Sequence, residues 1–345
     1  MEKYKILKDL IKFNTIKDKE NKEIINYLEN ILKDMKFTTE YKEKCLIMSV
    51  GKEQKLGFLG HTDTVEYIDG WNSNPFELIK VDNKLYGLGV CDMKGGIAAM
   101  IEAISQIDFK KLKYGMKLYF TYDEEINFGG INDFVEMNCK FPETMVFGEP
   151  TNNEILIGSK GLLEYELEFI GKKAHSSNPE KGVSANLNAV TFLTELNEYY
   201  EKNIKEYREE KYKIPYTTMN IGKINGGSAI NSIPASCKVL LDFRIVNNEH
   251  INLLKFKIEE LSKKYKCNPT ILQSIESFIN ETPITESIKT AGFMTEASFI
   301  SNNVTKIILG LGPVTAHEVN EHITEESYIL LVQQYKKIIE EICLK

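Results

Sequence analysis

Apolar positions along the chain form short runs of two kinds, and their order of alternation predicts the architecture. Up to about residue 159, compact runs of strand length (Cys45–Val50, Leu56–Leu59, Met116–Tyr122, Thr144–Phe147) alternate with stretches of helical period (Asn21–Met35, Gly95–Ile107, Gly130–Met137). Strands separated by helices predict an α/β layer with a largely parallel sheet, because parallel neighbours need a long crossover that a helix supplies. From about 160 to 275 the order changes to strand Leu162–Phe169, helix Ser184–Tyr200, two strands around Thr217–Lys223 and Cys237–Ile245, helix His250–Lys264 and strand Pro269–Gln273. This is a β-α-β-β-α-β, ferredoxin-like unit. After about 276 the α/β pattern returns, with a strand at Lys306–Gly310 and an amphipathic helix at Glu325–Cys343. The expected organisation is one α/β domain, 1–159 and 276–345, whose mixed, largely parallel sheet is flanked by helices and interrupted by a smaller inserted domain, 160–275.

Composition narrows the class. With 345 residues, 42% hydrophobic and 27% charged, the chain can bury full cores, and disorder is excluded. The longest apolar runs, Ile97–Ile101 and Tyr328–Val332, are far shorter than the roughly 20 residues of a membrane span. The lysine-rich first twenty residues carry no apolar core or small-residue cleavage site, so a cytoplasmic location without membrane attachment is expected. A net charge of −7 argues against nucleic acid as a partner. The six cysteines form no Cys-x-x-Cys pair and read as reduced, buried thiols. Only two of the 43 basic residues, Arg208 and Arg244, are arginines, so each merits separate attention.

Four segments carry candidate chemistry. The strand Leu56–Leu59 runs into Gly60-His61-Thr62-Asp63, a His-x-Asp that suits a metal-ligating imidazole with a carboxylate to orient it, or a structural His beside a turn cap. Gly87-Leu88-Gly89-Val90-Cys91-Asp92-Met93-Lys94-Gly95-Gly96 has the look of a dinucleotide loop, but Asp92 stands where pyrophosphate should approach. An anionic side chain in a glycine-rich turn favours a cation; alone, Asp92 reads equally as a helix N-cap. Met116–Tyr122 ends in Asp123-Glu124-Glu125, where adjacent acids point different ways, so one can bind a cation and its neighbour serve as general base. Thr144–Phe147 leads to Glu149, and Lys306–Gly310 to His317. Thus His61, Glu125, Glu149 and His317 each follow a separate predicted strand, and open α/β sheets bind ligands beyond the carboxyl ends of their strands. Two His, two Glu and one Asp without a thiolate suit a pair of divalent ions such as zinc, about 3.5–4 Å apart, that activate a hydrolytic water.

The ordered series His-Thr-Asp, Gly-x-Gly-x-x-Asp-Met-Lys-Gly-Gly, Asp-Glu-Glu, Gly-Glu-Pro-Thr and a late His resembles the di-zinc metallohydrolases that include acetylornithine deacetylase, succinyl-diaminopimelate desuccinylase, aminoacylases and glutamate carboxypeptidases. The resemblance covers nearly the whole chain. It implies that His61 and Glu149 hold one zinc and Glu125 and His317 the other, with cobalt a possible substitute, that Asp92 bridges them, that Asp63 orients His61, and that Glu124 is the general base. It also implies that the inserted domain is a lid or dimerisation domain of a homodimer. His175, in Ala174-His175-Ser176-Ser177-Asn178-Pro179, would stabilise the oxyanion in the partner's site, and Asn231 and Arg244 would contact a substrate carboxylate. Arg244 suits that contact because guanidinium grips carboxylate bidentately. Thr295-Glu296-Ala297 followed by Phe299-Ile300 resembles the acetylornithine deacetylase branch, with Glu296 meeting a cationic substrate end or capping a helix. The reading is a deacylase of N-acyl amino acids, N-acetyl-L-ornithine first. The alternatives are the succinyl-diaminopimelate enzyme, a dipeptidase, or a binding protein without catalysis, against which the retained base Glu124 argues.

Overall fold

The computed structural model describes residues 4–16, 21–280 and 289–345. In chain order the helices and strands are α1 Lys5–Ile11, α2 Lys22–Asp34, β1 Thr38–Lys42, β2 Leu46–Val50, β3 Leu56–His61, β4 Ile79–Val81, β5 Lys84–Tyr86, α3 Lys94–Ser105, β6 Met116–Thr121, α4 Gly129–Glu136, β7 Thr144–Phe147 and β8 Gly158–Ser159. There follow β9 Gly161–Ile170, α5 Ala185–Asn203, β10 Thr218–Gly226, β11 Ser236–Ile245, α6 Glu249–Tyr265, β12 Cys267–Ile275, β13 Phe278–Ile279, β14 Thr305–Ile308, β15 His322–Thr324 and α7 Glu325–Ile339. Two compact units emerge, one of Met1–Gly158, Asn280–Lys289 and Thr295–Lys345, the other of Ser159–Ile279 and Thr290–Met294.

The first unit is built on a six-stranded sheet in the order β1-β2-β6-β3-β7-β14. The pairs β3/β6, β3/β7 and β14/β7 are parallel, whereas β1/β2 and β2/β6 are antiparallel. The α/β expectation holds, with β6, β3, β7 and β14 all ending at one edge. Central β3 is buried at every position, as befits a strand covered on both faces. Leu7, Ile25, Phe58, Ile97, Val146 and Tyr335 share the continuous apolar core of this unit. The helix α7 starts where Thr324 accepts the Ser327 N–H at 3.1 Å, with Glu325 and Glu326 in the first turn and Lys336 and Lys337 in the last. Its α-helical part stops at Ile339, and Glu340–Leu344 continues as a π turn, shorter than the helix expected from the apolar period.

The second unit has a four-stranded sheet, β10-β11-β9-β12, with every adjacent pair antiparallel. Strand β9 alternates strictly after its first two residues. Leu163, Tyr165, Leu167 and Phe169 enter the core with Phe192 of α5 and Ile258 of α6, while Glu164, Glu166 and Glu168 face outward. His250, which matched no motif, is buried here, its Nδ1 2.8 Å from the Thr217 hydroxyl. Five of the six cysteines are buried and Cys139 is partly so; all are free thiols.

A charged cluster clamps α2 to the sheet margin. Glu29, 7% exposed, takes Lys33 at 2.8 Å, Lys42 at 2.6 Å and the Thr39 hydroxyl at 2.8 Å. Lys33, Lys42 and Thr39 together hold its carboxyl down at about 2. Because the folded value lies below the unfolded one, this stabilisation is complete above about 4.5 and fades as the pH falls toward about 2. Glu29→Gln should cost roughly 1 kcal/mol at neutral pH. The gap between variant and wild type in urea midpoints should close steadily from pH 5 down to pH 2; a pH-independent gap would refute the assignment.

Candidate metal centre

Parallel strands that end together deliver their following residues to one place. His61 is the last residue of β3, Glu124 and Glu125 follow β6 by a few residues, and Glu149 follows β7. His61 is wholly enclosed and Glu149 nearly so. His61 Nδ1 lies 3.1 Å from the Asp63 carbonyl oxygen and 3.6 Å from the Asp63 carboxylate, so the backbone is the nearer hydrogen-bond acceptor. With Nδ1–H donating there, Nε2 is turned toward Asp92 Oδ1, 3.0 Å away, and is the nitrogen that could ligate a metal. Asp63 also accepts the Glu125 N–H at 3.3 Å, tying the ends of β3 and β6 together.

On the other side His317 Nε2 lies 3.0 Å from Glu125 Oε2 and 3.7 Å from Asp92 Oδ2. Asp92 therefore sits between two imidazoles, one on each carboxylate oxygen. Donor atoms of His61, Asp92 and Glu125 lie within 4.8 Å of one another, a spacing that suits a shared ion. Their electrostatics point the same way. Burial, then Glu149, pushes Glu124 well above the carboxylate range, and burial, then Asp92, does the same to Glu149. Burial raises Glu125 as well, against the hydrogen bond from His317. For His61, burial opposes the charge, but Asp63 and Asp92 outweigh it and hold the imidazole well above its ordinary range. His317 is pushed up to about 9 by the hydrogen bond to Glu125. Carboxylates that resist ionising beside imidazoles that resist deprotonating describe a site in which protons stand where cations would.

The turn that presents Asp92 is fixed by close packing. A Cβ on Gly95 would fall 2.0 Å from the Val90 carbonyl oxygen, and one on Gly96 would fall 2.7 Å from that of Gly148. The glycine pair lets the start of α3 settle against the turn and the end of β7. Lys94, fully buried at the head of α3, donates to the Phe13 carbonyl at 2.7 Å, and burial draws its ammonium down to about 7. Neither role was legible beforehand. Glu321, also unforeseen, is buried and accepts backbone N–H groups from this turn. A lone acid four residues after His317 carries no signal in one sequence.

Three residues expected at the substrate have other partners here. Glu296 and Thr295 are buried. Glu296 accepts the Thr121 hydroxyl at 3.1 Å, its other oxygen has no hydrogen-bond partner among the described residues, and burial pushes it up to about 8. The Thr295 hydroxyl accepts the Ala297 N–H at 3.2 Å as a cap. The guanidinium of Arg244 is likewise engaged, with Nη2 2.9 Å and Nε 3.1 Å from the two Asp242 oxygens, so its bidentate edge faces its own neighbour.

In the second unit His175 and Asn231 come together. His175 pairs with Ser232 in an isolated bridge, and the Ser176 N–H donates to the Asn231 carbonyl at 3.0 Å. His175 is exposed, with Nδ1 2.8 Å from the Ser177 hydroxyl, so Nε2 is the nitrogen without an intramolecular bond in this pairing.

Known proteins match the chain along almost its full length. An acetylornithine deacetylase from Pasteurella multocida is 31% identical over 362 residues, covering 94% of this chain and 92% of that protein. Among solved structures, a tripeptidase from Staphylococcus aureus superposes with a TM-score of 0.80 at 21% identity, covering 98% of this chain and 96% of the other. A dinuclear metal binding peptidase from Bacillus subtilis gives 0.70 at 13% identity, covering 98% and 97%. Residues 57–341 match the profile of Peptidase family M20/M25/M40, a span that includes every residue of the centre, and the chain belongs to that family.

Proposed function

We propose that the chain is a metal-dependent amidohydrolase that removes the acyl group from an N-acyl amino acid, with N-acetyl-L-ornithine the leading substrate. The observation that carries it is the placing of Asp92 between His61 and His317, with Glu124, Glu125 and Glu149 around them. The 31% identity to an acetylornithine deacetylase supports the choice of substrate class. The donor set fits a pair of divalent ions: two imidazoles, three carboxylates and no thiolate, with the Asp92 oxygens turned to opposite sides. His61 and Glu149 would hold one ion, Glu125 and His317 the second, and Asp92 both, with zinc the expected metal and cobalt a substitute. When bound, such a pair supplies Lewis-acid polarisation of the amide carbonyl and acidifies water from about 15.7 toward 7.

The remaining chemistry belongs to the chain. Glu124, raised by burial and by Glu149, has the proton affinity to accept a proton from the attacking water as its oxygen bonds to the acyl carbon. As the C–N bond breaks, Glu124 returns that proton to the nitrogen, and the amine leaves with the acyl group released as the carboxylate. Asp63 keeps the His61 ring oriented through its carbonyl. His175, with an unengaged Nε2, is suited to donate to the oxyanion of the tetrahedral intermediate in the partner subunit's site. A homodimer is supported by β10, which is the edge of its sheet and exposes Ile221 and Ile224, and by Leu187 and Val190 of α5, which are 68% and 59% exposed. An edge strand with exposed isoleucines can pair with a second copy about a two-fold axis.

Glu124→Gln should retain two ions per chain by elemental analysis while turnover falls by roughly 10²–10⁴; undiminished turnover would remove Glu124 as the base. On zinc- or cobalt-loaded enzyme, N-acetyl-ornithine should show a higher kcat/KM than succinyl-diaminopimelate and than dipeptides, and faster cleavage of either of those would reassign the substrate. Mixing His175→Ala and Glu124→Gln chains should restore about one working site per heterodimer from two inactive parents. Mixed dimers no more active than the parents would place His175 outside the partner's chemistry.

A further inference from the structure

Glu321 is 2% exposed and has its carboxylate filled by one turn of backbone. Oε2 accepts the Gly89 N–H at 2.8 Å, and Oε1 accepts the Cys91 N–H at 2.7 Å and the Asp92 N–H at 3.0 Å. Its carbonyl oxygen takes the Gly87 N–H at 3.2 Å. The turn is shaped to offer these donors. Gly89 sits at φ +79°, and a Cβ there would lie 2.8 Å from Thr64 Cγ2, so only glycine fits.

The strand pairing explains why one residue meets the whole turn. Antiparallel β15 and β5 pair His322 with Tyr86, so the residue before β15, Glu321, lies opposite the start of the Gly87–Asp92 turn. Four residues earlier the same segment carries His317, whose Nε2 is 3.7 Å from Asp92 Oδ2. Glu321 is therefore the covalent neighbour of one candidate ligand loop and the hydrogen-bonded anchor of the other. Burying a carboxylate is costly, and three N–H donors from one turn are the compensation that makes it stable there.

We propose that Glu321 is a positioning residue, resting on the two-ion reading above, that fixes the Asp92 carboxylate relative to His317 and so sets the geometry of the second ion site. A glutamine cannot substitute. It has one acceptor oxygen, and its NH2 would confront at least one of the three backbone donors. The Asp92 turn would then be free to shift, and an error in a shared ligand is felt by both ions.

The test is Co2+ binding to the full-length protein, measured by equilibrium dialysis with elemental analysis and by the visible absorption spectrum of the bound Co2+. Glu321→Gln should weaken the more weakly held ion by roughly 10–100-fold. Its spectrum should change in band position and intensity, and kcat should fall with little change in KM for N-acetyl-ornithine. Glu318→Gln, which alters an exposed acid in the same segment, should leave all of these at wild-type values. Near-UV circular dichroism of the metal-free variants reports whether the fold survives. Should Glu321→Gln fail to fold, Glu321→Asp, which keeps the charge but withdraws it by one methylene, is expected to show a smaller loss of the same kind. A folded Glu321→Gln, or failing that Glu321→Asp, with wild-type affinity for both ions and an unchanged Co2+ spectrum would overturn the proposal. A wild-type chain that binds fewer than two ions would instead overturn the two-ion reading itself, before any variant is compared.

Discussion

Four parallel strands finish at one edge, and the loops that follow them gather Glu124, Glu125 and Glu149 beside His61 at the end of β3. That crowding of like charge is the constraint on which the rest of this unit depends. Burial raises Glu124, Glu125 and Glu149, with Glu149 adding to it at Glu124 and Asp92 adding to it at Glu125 and Glu149, and His61 and His317 are drawn toward protonation by the carboxylates beside them. A site so arranged has a free-energy gradient toward cations built in. Lys94 answers it only in part, because burial draws its ammonium down to about 7 even with Glu321 and Asp63 near. Divalent ions of the sort that the ligand chemistry favours would release the imidazole protons and let the carboxylates ionise together.

Holding acids so close requires a scaffold that cannot relax, which is where the apolar core enters. Central β3 has no exposed residue, and its neighbours β6 and β7 are locked in parallel register, His61 opposite Thr121 and Leu59 opposite Phe147. Gly95 and Gly96 then bring the start of α3 against the turn and the end of β7, with no room for a side chain. The ligands are thus carried on strand ends and on a helix start whose packing fixes them, the arrangement that precision in a metal site demands.

Much of this was legible in the sequence, for physical reasons that differ by element. The runs at Leu56, Met116 and Thr144 were readable because buried parallel strands are continuously apolar, and β9 because a half-covered antiparallel strand alternates. Strands β1, β4, β5, β8, β13 and β15 were missed; β1 is polar and barely buried, and the others are two or three residues long, too short for any period. His61, Glu125, Glu149 and His317 stood out because each follows a predicted strand, and Asp92 because it is an acid in a glycine-rich turn. The surroundings of those residues did not. Glu296 looked like a ligand for a substrate cation because composition says nothing of depth, and only the packing around Thr121 shows it enclosed. Glu321 is the converse case, an acid whose importance lies in three backbone donors that no side-chain pattern encodes.

The two buried acids also show how the protein divides its negative charge. Glu321 faces backbone N–H groups that favour its ionised form and offset part of the burial that pushes it up to about 7. Glu296 has only the Thr121 hydroxyl on one oxygen and, among the described residues, nothing on the other, and burial pushes it up to about 8. Of the two, Glu296 has fewer donors and leans further toward its neutral form. Its charge is felt at the strand ends, where it adds to the burial that raises Glu124 and Glu149. Backbone donors thus let one buried acid lean toward ionisation, and their scarcity lets the other lean away from it.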